Sequence, residues 1–295
     1  MNGKTLILGV GAQKTGTSWL NRQLISNPSI DCGSNKEKSI LNCCNEGFKY
    51  TISNLQDNLN FISELDDIHN NSYDLKCDSE GKYLLSCQHN FREILKMYFE
   101  RLNSFWEKNK EINYFVDISP KYATLNSDQY TAIKSYCSEH SINLKVIYIM
   151  RDPIERVISS GRAKVKRDRK EGINCPLEKI IRERFCSSQN IPYSDRGNYK
   201  YVIDALTNGL NPSDYLLLIY EHMFNSNEFF NIENFLGTKL APPNFDQKVH
   251  SGRGPKGISI ELEQQLFLKY KPIYKFMSEK LGNSYPSEWR SIDIN

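Results

Sequence analysis

A glycine-bearing loop joins the first apolar segment of the chain to the first amphipathic one. It reads G-A-Q-K-T-G-T-S-W-L from Gly11 to Leu20. A loop between a buried strand and a helix presents backbone N–H groups at the helix N-terminus, which favours an anion of the phosphate type. Lys14 lies inside this loop and adds a positive charge. The loop therefore predicts an anion site built from amides, hydroxyls and one lysine.

The common nucleotide motifs fit this loop only in part. Gly11 and Gly16 have the separation of a Walker A loop, but that motif places Lys and then Ser or Thr directly after the second glycine. Here Thr17 and Ser18 follow instead. The dinucleotide-binding pattern G-x-G-x-x-G also fails, because Gly9 and Gly11 are followed by Lys14 where its third glycine belongs. A conventional P-loop kinase is therefore disfavoured.

A second group of chemically capable residues follows another apolar segment. It reads I-M-R-D-P-I-E-R-V-I-S-S from Ile149 to Ser160. Pro153 is typical of the first turn of a helix, so Arg151 stands where a predicted strand ends. Ser159 follows eight residues later, inside that helix. A guanidinium and a hydroxyl in this arrangement can bind one phosphate group.

In this order the two motifs resemble those of the sulfotransferases that use 3′-phosphoadenosine 5′-phosphosulfate (PAPS). The 5′-phosphosulfate loop of that family, K-x-G-T-T/S-x-L, is matched by Lys14, Gly16, Thr17, Ser18 and Leu20. Its 3′-phosphate motif, R-x-P-x-x-R-x-x-S, is matched by Arg151, Pro153, Arg156 and Ser159.

The resemblance implies a role for each of these residues. Lys14 would contact the bridging oxygen of the phosphosulfate, where a positive charge stabilises the leaving phosphate without a metal. The 5′-phosphate would be cradled by Thr15, Gly16, Thr17 and Ser18. Arg151 and Ser159 would bind the 3′-phosphate. The cofactor would be PAPS, the product 3′-phosphoadenosine 5′-phosphate, and no metal would be required.

Weaker matches extend the resemblance over much of the chain. The segment S-N-K-E-K-S-I-L, from Ser34 to Leu41, resembles the K-E-x-x-x-F segment of the glycan-sulfating branch, whose Glu is the catalytic base. That role falls on Glu37, although aliphatic residues replace the usual aromatics. The chain is thus closer to the glycan and bacterial-type branch than to the cytosolic aryl and steroid branch. S-G-R-G-P-K-G resembles the C-terminal loop that closes over the cofactor, which makes Arg253 a cofactor ligand.

Three further segments match the family less closely. D-I-S-P-K-Y, which begins at Asp117, resembles E-K-S/T-P-x-Y with its lysine replaced by isoleucine. The stretches D-R-G-N-Y, ending at Tyr199, and L-I-Y-E-H-M, which contains Glu221, match a G-x-Y and a structural Y-E-D-L stretch. His89 and His222 are alternative bases, because a distinct branch of sulfotransferases uses histidine.

Between Arg162 and Lys170 the chain carries six basic residues and one acidic residue. If this run is helical, one face collects Arg162, Lys166, Arg169 and Lys170. That face would attract an anionic acceptor or the cofactor phosphates; alternatively it is an ordinary solvated helix face.

Strand and helix patterns alternate along the chain. Strands are predicted over Thr5–Val10, Tyr114–Ile118, Leu144–Met150 and Tyr215–Tyr220. Helices are predicted over Ser18–Ser26, Ser226–Leu236 and, interrupted by Pro272, Ile260–Leu281. The pattern predicts an α/β fold with a P-loop-like central parallel sheet flanked by helices, as one domain over residues 1–295. A mainly helical or loop insertion is expected around 47–110. Ligands of such sheets bind beyond the carboxyl ends of the strands.

Composition excludes several classes of protein. The 295 residues are 39% hydrophobic with a net charge of +3, which argues against disorder and against a general nucleic-acid coat. The longest apolar runs are strand-sized, so no membrane span is expected, and no signal peptide is recognised. Eight cysteines without C-x-x-C spacing, and five histidines without H-x-x-x-H spacing, predict reduced thiols and no metal site. A soluble, cytoplasmic protein is expected.

The sequence thus predicts a sulfotransferase that moves a sulfuryl group from PAPS to a hydroxyl or amine of a carbohydrate or small-molecule acceptor. Glu37 would take the acceptor proton while Lys14 stabilises the departing phosphate. One alternative is a P-loop nucleotide-dependent kinase that uses Asp117 as its Walker B acid. The other is a non-catalytic nucleotide-binding relative. No oligomeric state is predicted.

Overall fold

Five strands form one parallel sheet in the larger of two compact units of the chain. The structure is a computed structural model, and it describes residues 3–33, 37–38, 40–42, 73–77, 83–87, 91–187, 196–243, 245 and 257–291. One unit combines Met1–Lys38 with Asn109–Asn295, and the other is Ser39–Lys108. The described strands are β1 (Lys4–Gly11), β2 (Ile30–Asp31), β3 (Tyr73–Cys77), β4 (Tyr83–Cys87), β5 (Tyr114–Ile118), β6 (Ile142–Met150) and β7 (Tyr215–Ile219). The described α-helices are α1 (Thr17–Leu24), α2 (Phe91–Lys108), α3 (Ser127–Glu139), α4 (Pro153–Lys170), α5 (Leu177–Phe185), α6 (Tyr199–Gly209), α7 (Ser226–Leu236) and α8 (Ile260–Leu281).

The sheet has the strand order β2-β5-β1-β6-β7, and every neighbouring pair is parallel. Strand β1 lies at the centre, where Leu6 is in register with Phe115 on one side and with Leu144 on the other. A parallel strand covered on both faces needs a nearly continuous apolar sequence, and Leu6, Ile7 and Leu8 are fully buried. The predicted parallel sheet flanked by helices is confirmed, and the two-residue strand β2 is an addition to it.

Helices pack on the sheet through the apolar residues that their spacing predicts. A buried cluster joins α1 and α7 to one face of the sheet and includes Trp19, Leu24, Ile147, Ile149 and Ile232. Helix α3 contacts β6, and α4 contacts α5 and α8. None of the helices in the described ranges is long and apolar enough to cross a membrane.

The helix boundaries follow local sequence signals. Asp152 accepts hydrogen bonds from the backbone N–H groups of Ile154 and Glu155, with Pro153 in the first turn, so α4 begins where the sequence predicts. Helix α7 ends at Gly237, whose φ of 71° is left-handed. The expected interruption of the last helix is wrong, because α8 continues through Pro272. Packing of its buried face, which includes Tyr270 and Tyr274, compensates for the hydrogen bond that proline cannot donate.

The unit Ser39–Lys108 contains α2 and an antiparallel pair formed by β3 and β4. It overlaps the insertion expected around 47–110, which the sequence predicts to be mainly helical or loop. The two strands read Y-D-L-K-C and Y-L-L-S-C and contain no β-branched residue, so their local preference for strand is weak.

Candidate functional site

The carboxyl edge of the sheet opens beside β1. The chain leaves β1 through α1 to reach β2 beyond β5, and it later enters β6 on the opposite side of β1. Connections that diverge in this way leave a crevice outside the strand ends, which is where open α/β sheets bind ligands. The loop that contains Lys14 follows β1, and Arg151 follows β6 directly.

The loop after β1 is held by internal hydrogen bonds. The Thr15 hydroxyl donates to the carbonyl oxygen of Ala12 at 2.7 Å, and the Ala12 N–H donates to the carbonyl oxygen of Ile149 at 2.8 Å. Lys14 has a φ of 72°, which is uncommon for a residue with a side chain. Because Thr15 is fully buried and commits its hydroxyl proton to the loop, its contribution to anion binding would come from its backbone.

Gly16 brings the loop into close contact with the end of β7. It is the N-cap of α1 and has a φ of 82°. A Cβ atom there would lie 2.8 Å from Cε of Met223 and 3.1 Å from the Tyr220 ring. A larger residue would be strained by conformation and by this contact. Thr17 and Ser18 follow in the first turn of α1, where backbone N–H groups point out of the helix end.

Arg151 joins the end of β6 to the Lys14 loop. Its Nη1 donates to the carbonyl oxygen of Lys14 at 3.3 Å, and its guanidinium carbon lies 4.5 Å from the centre of the Tyr220 ring. Its Nε is buried and has no hydrogen-bond partner among the described residues. A buried donor without a partner requires an explanation, and a bound anion would supply the missing acceptor.

Positive charge accumulates around the loop. Burial lowers the pKa of Lys14 from its ordinary value, and the nearby charges of Arg151 and Lys166 lower it further. Lys166 belongs to the basic run, which the structure places within α4. Ser159 lies half-buried on the same helix, and Lys166 is seven residues further, on the same face. An anionic ligand would relieve the repulsion among these cations.

Two segments matched separately in the sequence meet behind Arg151. The Tyr199 hydroxyl donates to the carbonyl oxygen of Arg151 at 2.6 Å and accepts from its N–H at 3.3 Å. Burial raises the pKa of Tyr199, so this hydroxyl stays protonated. Arg156 is 1% exposed, and a Cβ at Gly197 would lie 2.1 Å from its Nη2. Arg156 is therefore part of the core, and Gly197 leaves the space for its guanidinium.

Glu37 lies beside the end of β5. It is exposed, and the next residue, Lys38, donates its backbone N–H to Oδ1 of Asp117 at 3.2 Å. Asp117 also accepts from the hydroxyls of Ser119 and Tyr122, each at 2.6 Å. Its carboxyl is fully buried, and burial raises its pKa. Asp117 thus anchors Lys38, and with it the neighbouring Glu37, to the sheet. Because three hydrogen bonds already engage its buried carboxylate, Asp117 is poorly placed for the magnesium contact of a Walker B acid.

The remaining candidates divide into two groups. Arg253 and His89 lie outside the described residues. His222 is at the surface, with its Nε2 3.8 Å from a carboxylate oxygen of Glu288. Within the described ranges no cluster of three or more His, Cys, Asp or Glu side chains could hold a metal ion.

The sequence assigns no role in the site to three residues that shape it, although all three lie in the stretches D-R-G-N-Y and L-I-Y-E-H-M that resemble the family. Tyr220 stacks on Arg151, Met223 contacts Gly16, and Tyr199 holds the Arg151 backbone. Tyr220 is the last residue of the strand predicted over Tyr215–Tyr220, which places it at the carboxyl edge of the sheet. The roles of Tyr199 and Met223 depend on tertiary contacts that the two stretches do not indicate.

Comparison with known proteins relates this fold to solved structures. No model of a protein family matches the chain, and no curated protein matches it. Among solved structures, a sulfotransferase from Alicyclobacillus acidocaldarius is similar with a TM-score of 0.59 and 16% identity, over 98% of this chain and 99% of that chain. A sulfotransferase domain from the curacin biosynthetic pathway is similar with a TM-score of 0.45 and 15% identity, over 82% of this chain and 76% of that chain. A sulfotransferase from Mycobacterium avium is similar with a TM-score of 0.40 and 11% identity, over 98% of this chain and 79% of that chain. The chain therefore has the α/β fold of the Alicyclobacillus sulfotransferase.

Proposed function

We propose that this protein is a sulfotransferase that moves a sulfuryl group from PAPS to a hydroxyl or amine of a carbohydrate or small-molecule acceptor. The contact between Arg151 and the Lys14 loop carries the proposal. Two motifs, matched independently and far apart in the sequence, meet at the edge of the sheet where ligands of such folds bind.

The chemistry of the donor set fits PAPS. The 3′-phosphate and the 5′-phosphosulfate are both anionic, and the site offers two cationic side chains close to a helix N-terminus. The unpaired Nε of Arg151 would gain an acceptor in a phosphate oxygen. The glycine at position 16 lets backbone amides approach such a group closely.

Each residue then has a defined part in the proposed reaction. When bound, PAPS supplies an activated sulfuryl group and a phosphate leaving group. Lys14 stabilises the negative charge that develops on the leaving oxygen. Thr15, Gly16, Thr17 and Ser18 hold the 5′-phosphate through the end of α1, while Arg151 and Ser159 hold the 3′-phosphate.

Proton transfer is assigned to Glu37. Its carboxylate accepts the proton of the attacking hydroxyl or amine, and the anchor from Lys38 to Asp117 keeps it at the carboxyl edge of the sheet. Arg253 would cover the nucleotide from the C-terminal loop. Among the cysteines whose side chains the structure describes, Cys32, Cys137, Cys175 and Cys186 are free thiols, which fits the proposed cytoplasmic location.

Transfer of ³⁵S-sulfate from labelled PAPS to a panel of sugars, phenols and amines tests the proposal directly. We expect labelled product and release of 3′-phosphoadenosine 5′-phosphate, unchanged by EDTA, with Lys14→Ala as a control of much lower activity. Magnesium-dependent transfer from labelled ATP would instead identify a kinase. Tight binding of the nucleotide without transfer to any acceptor would favour a non-catalytic relative.

A further inference from the structure

The C-terminal residues Trp289 and Arg290 lie against the ends of β6 and β7; we call this pair the C-terminal clamp. Nε1 of Trp289 donates to Oε2 of Glu221 at 2.8 Å. Arg290 donates to Asp152 twice, from Nη1 to Oδ1 at 2.7 Å and from its backbone N–H to Oδ2 at 3.2 Å. Trp289 is 3% exposed and Asp152 is 1% exposed. The clamp therefore makes buried, directional contacts.

The two carboxylates that the clamp holds are direct neighbours of the residues that form the anion site. Asp152 follows Arg151, and Glu221 follows Tyr220, whose ring stacks on the Arg151 guanidinium. The two residues are also connected to each other, because the backbone N–H of Asp152 donates to Oε1 of Glu221 at 3.2 Å. The clamp thus acts on both sides of the stacked pair.

Arg290 is itself held from a third direction. Its Nε donates to a carboxylate oxygen of Glu263 in α8 at 2.8 Å, and its Nη2 lies 3.5 Å from Glu155 in α4. The guanidinium therefore ties the start of α4 to α8. Asp152 also accepts two helix-capping bonds and a bond from the Tyr274 hydroxyl at 3.0 Å, none of which involves Arg290. Loss of Arg290 should consequently loosen the turn between β6 and α4 without removing the start of α4.

We propose that the C-terminal clamp is a positioning element that fixes the orientation of Arg151 for the 3′-phosphate of the nucleotide. The proposal rests on the function proposed above. Arg290 is a positioning residue: it acts through Asp152 and the adjoining backbone of Arg151, and it touches neither the nucleotide nor the acceptor.

The chain offers a matched control for removal of this cation. Lys134 in α3 forms an ion pair at 2.7 Å with Asp214, whose side chain is 8% exposed. Asp214 directly precedes β7, so this pair lies at the amino edge of the sheet, opposite the site. Lys134→Ala and Arg290→Ala each remove the cationic partner of a buried aspartate, and both should lower the melting temperature.

Nucleotide affinity distinguishes a positioning role of Arg290 from an effect on protein stability alone. Calorimetry with adenosine 3′,5′-bisphosphate should show Arg290→Ala weakened by about 10-fold, the low end of the effect of one charge-assisted contact. Affinity for AMP should be unchanged, Lys134→Ala should bind both nucleotides like the wild type, and Arg290→Lys should recover part of the loss. If folded Arg290→Ala binds the bisphosphate as tightly as Lys134→Ala does, the proposal is wrong. Should Arg290→Ala fail to fold, Arg290→Lys and Trp289→Phe answer the same question.

A measurement without nucleotide keeps this test independent of the proposed function. Hydrogen exchange at the Arg151 Nε–H, followed by ¹⁵N NMR, should be slow in the wild type and in Lys134→Ala because that atom is buried. It should be clearly faster in Arg290→Ala. Equal rates of hydrogen exchange in all three proteins would overturn the proposal that the clamp positions Arg151. A wild type that does not prefer the bisphosphate to AMP would overturn the proposed function instead.

Discussion

Replacement of Arg151 by glutamine should discriminate between nucleotides that differ only in the 3′-phosphate. The substitution removes a guanidinium whose Nε has no described hydrogen-bond partner and whose Nη1 makes a long bond of 3.3 Å to the Lys14 carbonyl. Loss of a charge-assisted contact to a phosphate costs about 1.5–3 kcal/mol, or roughly 10- to 150-fold in affinity. Adenosine 3′,5′-bisphosphate should be weakened by that factor, whereas AMP, which lacks the 3′-phosphate, should be nearly unaffected.

The effect on protein stability should be smaller. The ion pair of Arg151 with the 41% exposed Glu155 spans 3.9 Å and contributes about 0–1 kcal/mol. Stacking on Tyr220 at 4.5 Å contributes about 0.5–2 kcal/mol. Removal of Arg151 also relieves its repulsion of Lys14. That change acts on the 5′-phosphate of both nucleotides alike, so it cancels when the two affinities are compared.

Isothermal titration calorimetry of both nucleotides, at one ionic strength, measures this ratio. The matched control is Arg182→Gln in α5, which removes an arginine that is 45% exposed and 3.6 Å from Glu178. That control should leave both affinities unchanged. If Arg151→Gln weakens AMP and the bisphosphate by the same factor, or weakens neither, Arg151 does not recognise the 3′-phosphate and the assignment fails.

Other substitutions test the remaining roles. Lys14→Ala should lower kcat by about 10²-fold or more, and nucleotide affinity by less, because the lysine acts on charge that develops during the reaction; equal losses in both would contradict that role. Glu37→Gln should lower kcat by about 10²- to 10⁴-fold and abolish the acidic limb of the pH–rate profile, while nucleotide affinity stays unchanged. If the turnover and the pH–rate profile stay as in the wild type, His89 becomes the next base to test. Lys14→Met should raise the melting temperature, because burial and neighbouring cations lower the pKa of Lys14 in the folded state. By linkage, this gain should be complete below the lowered pKa and should shrink as pH rises from there to 10.5, the pKa of an ordinary lysine; a gain that does not depend on pH in thermal melts would contradict the electrostatic cause. Gly16→Ala should destabilise the fold by about 1 kcal/mol or more in denaturant unfolding, since its Cβ would lie 2.8 Å from Met223 at a left-handed φ; an unchanged midpoint would mean that the loop adjusts freely.

Local sequence was a good guide wherever one short segment carries the whole signal. The central strand β1 is a continuous apolar run, and α4 begins at an Asp-Pro pair that caps its own first turn. Both elements were predicted because burial and capping depend on residues close together in the chain. The antiparallel pair β3–β4 was not predicted, because its strands lack β-branched residues and are stabilised by pairing with each other.

Sequence by itself determined the chemical groups of the candidate site: a lysine in a glycine-bearing loop, an arginine at a strand end, and the parallel sheet whose carboxyl edge presents both. Only the tertiary structure decided how these groups meet. Arg151 reaches the Lys14 carbonyl across 137 positions of sequence, and Arg290 reaches Asp152 across 138. Contacts over such separations depend on strand order and on the packing of Tyr220, Tyr199 and Trp289 behind the site, and no local pattern encodes them.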